Sequence, residues 1–211
     1  MLKFKTLAPN IYAVEGTTSS EVARLFLRFQ ECYESPKFRD KIFTLKEFKE
    51  YYKEFTNSTS FTYYYDWVGF NVPGTIVDKF INGRFNPLTR QERWLVNQIK
   101  KFHKTAERYY IIGYKKNSRG TLKHEMAHAK FHIYPSYRTE VLHALGKCIS
   151  DEESIKLADH LREMGYHLKV IMDEIHAYVL CEKSYLAAEK LWSKSLPKAQ
   201  EELEEIYKRY P

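Results

Sequence analysis

The segment 121–133 places two histidines four residues apart, and this spacing restricts the chain more than any other feature of its sequence. The core of the segment reads His124-Glu-x-x-His128. On an α-helix, residues i and i+4 project from the same face, about 6 Å apart along the axis at ~1.5 Å rise per residue. Two imidazoles at this separation suit a single metal ion. Glu125 is turned roughly 100° from His124 around the helix, so we expect it beside the metal as a base acting on a metal-activated water.

The residues around this motif predict a strand, a turn and then a helix. Tyr109–Tyr114 is an apolar, aromatic and β-branched run typical of a strand, and Asn117–Gly120 is typical of a turn. Thr121 is expected to cap a helix that ends near Ile133, before Pro135. A buried helix whose histidines only satisfy hydrogen bonds explains the pattern less well, because packing gives no reason for a charged residue between two inward histidines.

A strand and a turn followed by a helix with His-Glu-x-x-His resemble the zincin metallopeptidases, across about residues 105–185. The resemblance implies a zinc-dependent hydrolase in which His124 and His128 bind Zn²⁺ and Glu125 is the general base. It also implies a peptide or protein substrate that adds to an open strand edge at Tyr109–Lys116. In the gluzincin branch of this clan, the third zinc ligand is a glutamate on a later helix.

Glu174 is the best candidate for that third ligand, because it lies in an otherwise apolar and helical segment, Val170–Cys181. Ala177, three residues later, resembles the small residue that lets the third-ligand helix approach the active-site helix in several gluzincin-like families. The sequence departs from the gluzincin pattern four residues after the glutamate, where Tyr178 replaces the usual acidic residue. Asp173 and Tyr178 are therefore the candidates to orient a ligand instead.

Several other residues remain open as ligands or as neighbours of the site. His132 lies another ~6 Å along the helix axis, so we expect it beside the site rather than in it. The metzincin pattern, with a histidine six residues past the second ligand, fails because position 134 is Tyr134. The alternatives to Glu174 as third ligand are Asp173, His176, His143 and Glu140. The candidates for stabilising a developing oxyanion are Tyr137, Arg138, Tyr166, His167 and Tyr178.

Positive charge is concentrated in the first part of the chain. Residues 1–123 carry 22 Lys and Arg against 12 Asp and Glu, whereas residues 124–211 carry 12 against 15. Since the basic residues are interleaved with acidic and apolar ones, a solvated surface is favoured over a nucleic-acid-binding face. Two alternatives to a peptidase remain: a metal-stabilised, non-catalytic domain that binds nucleic acid or an acidic protein, and a zinc hydrolase of a non-peptide substrate.

The succession of predicted elements indicates an α+β fold, predominantly helical, with a small β-sheet packed on the helix that bears His124. Residues 1–104 are expected to form an N-terminal, mostly helical region of unassigned role, and residues 105–211 the zincin-like region. The remaining helices are expected at about 21–33, 44–55, 75–81, 90–103, 135–145, 150–165, 170–192 and from Pro197, with a strand at 10–15 and a loop at 66–74.

The sequence also bears on the compartment. No early apolar run has the flanks of a signal peptide, and none reaches the ~18 residues needed to span a bilayer. The three cysteines, Cys32, Cys148 and Cys181, are widely separated and lie in apolar helical contexts. A cytoplasmic protein with reduced cysteines and no membrane segment is therefore predicted.

Overall fold

The computed structural model describes residues 2–105 and 107–211, and it confirms an α+β fold in which helices predominate. These residues form two compact units, one that ends at Leu122 and one that comprises Lys123–Pro211. No helix in the described part of the chain is long and apolar enough to cross a membrane. The strands are β1 (Lys3–Ala8), β2 (Ile11–Gly16), β3 (Gly69–Pro73) and β4 (Tyr110–Lys115). The helices are α1 (Ser19–Glu34), α2 (Leu45–Phe55), α3 (Tyr63–Asp66), α4 (Gly74–Ile81), α5 (Arg90–Phe102), α6 (Arg119–Ile133), α7 (Pro135–Cys148), α8 (Asp151–Glu163), α9 (Ile171–Cys181), α10 (Lys183–Ala188) and α11 (Leu196–Arg209), with a short 3-10 helix at Leu168–Val170.

The first unit contains a four-stranded mixed sheet with the strand order β1-β2-β4-β3. β4 pairs in parallel with β2, from Tyr110 opposite Ile11 to Lys115 opposite Gly16, and antiparallel with β3. Both backbone edges of β4 are therefore hydrogen-bonded within the sheet. The prediction that Tyr109–Lys116 offers an open edge to a substrate is wrong, because β2 and β3 come from distant parts of the chain and cover both sides of it.

Helix α1 packs against one face of this sheet. Val22 and Phe26 of α1 are fully buried, and they lie over Gly113 at the centre of β4. A Cβ atom built on Gly113 would come within 2.5 Å of the Phe26 ring. A glycine at this position therefore allows the helix to approach the sheet closely.

β3, at Gly69–Pro73, lies within the segment 66–74, which the sequence predicts as a loop. Phe70 and Val72 are buried in the core, and the backbone N–H of Asn71 donates to the side-chain oxygen of Gln30 at 3.0 Å. The glycine and proline that indicate a loop lie at the two ends of the strand rather than within it. The loop prediction is wrong because pairing with β4 stabilises these residues as a strand.

The predicted starts of three helices are confirmed, since each begins with a capping box in which a Ser or Thr and a Glu satisfy exposed backbone N–H groups. These pairs are Thr44 with Glu47, Thr89 with Glu92 and Ser150 with Glu153. The end of α8 is also confirmed, because Gly165 follows it with a φ of 100°, a conformation that favours glycine.

Three other helix ends differ from the prediction. α6 begins at Arg119 rather than after Thr121, because Asn117 adopts a φ of 67° and the carbonyl of Ser118 accepts from the N–H of Leu122 at 3.0 Å. α7 continues through Gly146 to Cys148. The helix predicted to extend to Trp192 ends at Cys181, and Glu182 separates it from α10.

The second unit is helical, and its core contains residues of α6 to α11. Ala127 of α6 and Ala177 of α9 are both fully buried in this core. The ammonium of Lys130, on α6, donates to the carbonyl oxygens of Tyr207 and Tyr210 at 3.0 and 2.8 Å. Burial lowers the pKa of Lys130 to about 8. This contact ties the C-terminal end of α11 to the helix that carries the His-Glu-x-x-His motif.

Candidate metal centre

The two histidines of the motif lie on one face of α6, as their spacing predicts. The ring centroids of His124 and His128 are 5.0 Å apart. The side chain of His128 is 1% exposed, whereas that of His124 is 13% exposed. The pair therefore reaches from the protein interior, at His128, to a position that contacts solvent, at His124.

Glu174 meets these histidines from α9. Its side chain is 2% exposed, and its Oε2 lies 3.7 Å from Nε2 of His128. One possible ligand atom from each of His124, His128 and Glu174 lies within 4.8 Å of the others. Two ligand atoms at ~2.0–2.1 Å from a tetrahedral zinc ion are about 3.4 Å apart, so small side-chain movements would close this group around an ion. Within the described residues, this is the only group of three or more His, Cys, Asp and Glu side chains whose possible ligand atoms lie this close together.

Asp173, next to Glu174 on α9, contacts the other nitrogen of His128. Its Oδ1 lies 2.9 Å from Nδ1 of His128. Burial alone would raise the pKa of Asp173, but its contacts with His128 and then with His176 outweigh burial and lower that pKa to about 2. A carboxylate at Nδ1 favours the tautomer of His128 that has its free electron pair on Nε2, the atom that faces Glu174.

Glu182 plays the corresponding part at His124, and the sequence analysis missed it. Its Oε1 lies 3.1 Å from Nδ1 of His124, and this hydrogen bond lowers the pKa of Glu182. Glu182 is eight residues after Glu174, and Tyr178 lies between them at the position where gluzincins have an acidic residue. Because Glu182 lies just beyond the end of α9, at Cys181, helical spacing from Glu174 does not by itself predict this contact.

Glu125, the predicted base, is buried beside the two histidines. It is 5% exposed and follows His124 directly on α6. It does not belong to the group of three possible ligands, in agreement with its position around the helix.

Tyr178 packs against the more exposed histidine. Its ring meets the His124 ring edge-on, with centroids 5.3 Å apart, and its hydroxyl lies 3.5 Å from that of Tyr166. Burial, and then the charge of Glu174, raises the pKa of Tyr178 above its ordinary value. Tyr178 therefore keeps its proton at neutral pH and can act as a hydrogen-bond donor.

The other residues singled out from the sequence lie elsewhere or have other contacts. Tyr137 is fully buried, and its hydroxyl lies 2.8 Å from Nε2 of His176. His132 is partly exposed and lies outside the group of three. Among the remaining candidates, Arg138 and His143 are exposed, Glu140 contacts Arg209 and Tyr210, and His167 accepts from the backbone N–H of Lys169.

Comparisons of the chain with protein-family models, with curated proteins and with solved structures give no significant match. The functional assignment therefore depends on the arrangement of the side chains in the group formed by His124, His128 and Glu174.

Proposed function

We propose that the chain is a zinc-dependent metallopeptidase of the zincin type, in which His124, His128 and Glu174 hold Zn²⁺. The observation that carries the proposal is the grouping of these three donors within 4.8 Å, with a carboxylate at Nδ1 of each histidine. Carboxylate–histidine pairs of this kind are typical of zinc sites, because they leave Nε2 free to bind the metal.

The charges around the group also support a bound cation. The side chains of Glu125, Asp173 and Glu174 bear carboxylates, and the three residues are 8% exposed or less. Burying several carboxylates together is unfavourable unless positive charge compensates them. Two imidazoles and one carboxylate are also the donor set found in many catalytic zinc sites, in which the protein supplies three ligands.

Glu125 is the proposed general base. When bound, zinc lowers the pKa of a water molecule toward ~7 and polarises a substrate carbonyl. With a metal bound there, Glu125 would accept a proton from the attacking water and would later donate it to the amine that leaves when the peptide bond breaks. Tyr178 is the proposed donor to the developing oxyanion, and two observations support it: it keeps its proton, and its ring contacts His124.

The substitution Glu125→Gln tests the proposed base, because it keeps the shape of the side chain but cannot accept the proton. The zinc-loaded variant should bind one zinc ion and lose at least about 100-fold in hydrolysis of casein or of unstructured peptides, the lower range for a general base. Glu163→Gln, on the exposed side of α8, is the matched control and should keep full activity. Undiminished hydrolysis by Glu125→Gln would remove Glu125 from the mechanism.

A second variant tests the ligand set. Glu174→Ala should lower zinc stoichiometry, measured by elemental analysis after dialysis against a weak chelator, because one of three donors is removed. Unchanged stoichiometry would assign the third ligand to another residue.

The substrate class is tested with the same zinc-loaded protein. Cleavage of nucleic acid but not of peptides would reassign the chain to hydrolases of non-peptide bonds. Salt-sensitive nucleic-acid binding without any hydrolysis would favour a metal-stabilised, non-catalytic domain. Hydrolysis of peptides that disappears when zinc is removed and returns when it is added is the result we expect.

A further inference from the structure

Two more buried side chains extend the contact between His128 and Asp173. Oδ1 of Asp173 lies 2.9 Å from Nδ1 of His128 and 3.7 Å from Nδ1 of His176. On the opposite side of the His176 ring, Nε2 lies 2.8 Å from the hydroxyl of Tyr137. His176 and Tyr137 are both 0% exposed, so bulk solvent does not reach these contacts. These contacts form a series that connects α7 to α6 through α9. Its members are Tyr137, His176, Asp173 and His128.

The chemistry of the two rings sets the direction of each contact. The Asp173 carboxylate can only accept, so it favours the tautomer of each histidine that has its proton on Nδ1. The contact from His176 is longer than a hydrogen bond, but a free electron pair on Nδ1 at the same distance would repel the carboxylate. A neutral His176 with its proton on Nδ1 has an electron pair on Nε2, which accepts the Tyr137 hydroxyl.

We propose that Tyr137 and His176 are positioning residues that hold the Asp173 carboxylate against His128 and so keep Nε2 of His128 directed at the metal. The inference rests on the proposed zinc site. It deepens that proposal, because neither residue touches the group of three ligands. Tyr137 selects the tautomer of His176, His176 orients Asp173, and Asp173 orients the ligand.

Tyr137→Phe tests the proposal, with Tyr134→Phe as the matched control. The Tyr134 hydroxyl has no hydrogen-bond partner within the described residues, so its removal leaves the series untouched. Zinc affinity is measured by competition with a chromophoric chelator. We expect Tyr137→Phe to weaken zinc binding roughly three- to tenfold, less than the 10–100-fold seen when a direct partner of a ligand is removed. Tyr134→Phe should bind zinc like the unaltered chain.

Nitrogen-15 NMR reports which ring nitrogen of each histidine carries the proton. If Tyr137 only stabilised the fold, its substitution would leave these tautomers unchanged. In the unaltered chain, His176 should carry its proton on Nδ1 and His128 on Nδ1, and in Tyr137→Phe the His176 signals should shift toward a mixture of tautomers. A proton on Nε2 of His176 in the unaltered chain would overturn the proposal, even if the variant fails to fold. Equal zinc affinity in the two tyrosine variants would overturn it as well. Absence of zinc binding by the unaltered chain would instead overturn the proposed function, and this inference with it.

Discussion

The two carboxylates that contact the candidate histidine ligands should contribute unequally to metal binding. The Asp173 side chain is 10% exposed and contacts His128, which is 1% exposed. The Glu182 side chain is 37% exposed and contacts His124, which is 13% exposed. A charge-assisted hydrogen bond contributes about 1.5–3 kcal/mol and a neutral one about 0.5–1.5. Asp173→Asn keeps an oxygen acceptor but loses the charge, so it should weaken zinc binding by about 1.4 kcal/mol, roughly tenfold.

Glu182→Gln removes a charge that solvent already screens. Exposed ion pairs contribute about 0–1 kcal/mol, so the loss in zinc affinity should stay below about fivefold. Competition with a chromophoric chelator measures both variants, and urea unfolding of the metal-free proteins checks that each is folded. An equal or larger effect of Glu182→Gln would refute the reasoning that burial decides the strength of these contacts. An Asp173→Asn variant with unaltered affinity would show that Asp173 does not orient a zinc ligand.

Three further predictions concern the stability of the fold and are measured by urea unfolding. The carboxylate of Glu92 is 3% exposed and lies 2.5 Å from the guanidinium of Arg28. Arg28→Met should destabilise the chain by about 3–5 kcal/mol, because it leaves this buried carboxylate without its charge partner. An unchanged midpoint of urea unfolding would contradict this. Gly113→Ala should cost about 1–3 kcal/mol through overpacking against α1, and a variant as stable as the original would show that the helix moves away freely. The hydrogen bond from the Ser193 side chain, with bonds from nearby serines, lowers the pKa of Glu153 from 4.5 to about 2. Glu153→Gln should therefore lower the free energy of unfolding above pH 4.5, and this loss should shrink as pH falls toward 2. A loss of stability that grows on acidification would contradict this.

The local signals in the sequence predicted the helices well. Capping boxes at Thr44, Thr89 and Ser150 each mark the start of a helix in the structure, because the hydrogen bonds of a cap involve only residues three apart. The isolated glycine at position 146 was less informative. Gly146 was expected to end a helix, but α7 continues past it because a glycine inside a helix is tolerated at about 1 kcal/mol.

The sheet was harder to predict, since strand pairing depends on residues far apart in the chain. Nothing within Tyr110–Lys115 reveals that β2 and β3 pair on either side of it, about 100 and 40 residues earlier in the sequence. The same reason explains the missed strand at Gly69–Pro73, whose end residues are typical of a loop. The strand β1 also received no prediction, because Lys3–Ala8 is only partly buried and lies at the edge of the sheet.

The candidate site combines both kinds of information. The shared face of His124 and His128 follows from helix geometry alone, so the sequence predicts it directly. The approach of Glu174 requires two helices to pack together. The sequence indicated it through the unusual acidic pair in an apolar helix and through the resemblance to gluzincins, including Ala177 three residues later. Glu182 was missed because α9 ends at Cys181, and the side chain that contacts His124 comes from the residue at the helix break. The contact between Tyr137 and His176 joins α7 to α9, and no spacing rule predicts it.

X-ray absorption at the zinc edge tests the central proposal most directly. The zinc-loaded chain should show two imidazole nitrogens and a carboxylate oxygen at ~2.0–2.1 Å, and the carboxylate contribution should disappear in Glu174→Ala. A zinc shell without imidazole, or one that Glu174→Ala leaves unchanged, would contradict the assignment of His124, His128 and Glu174 as the metal ligands.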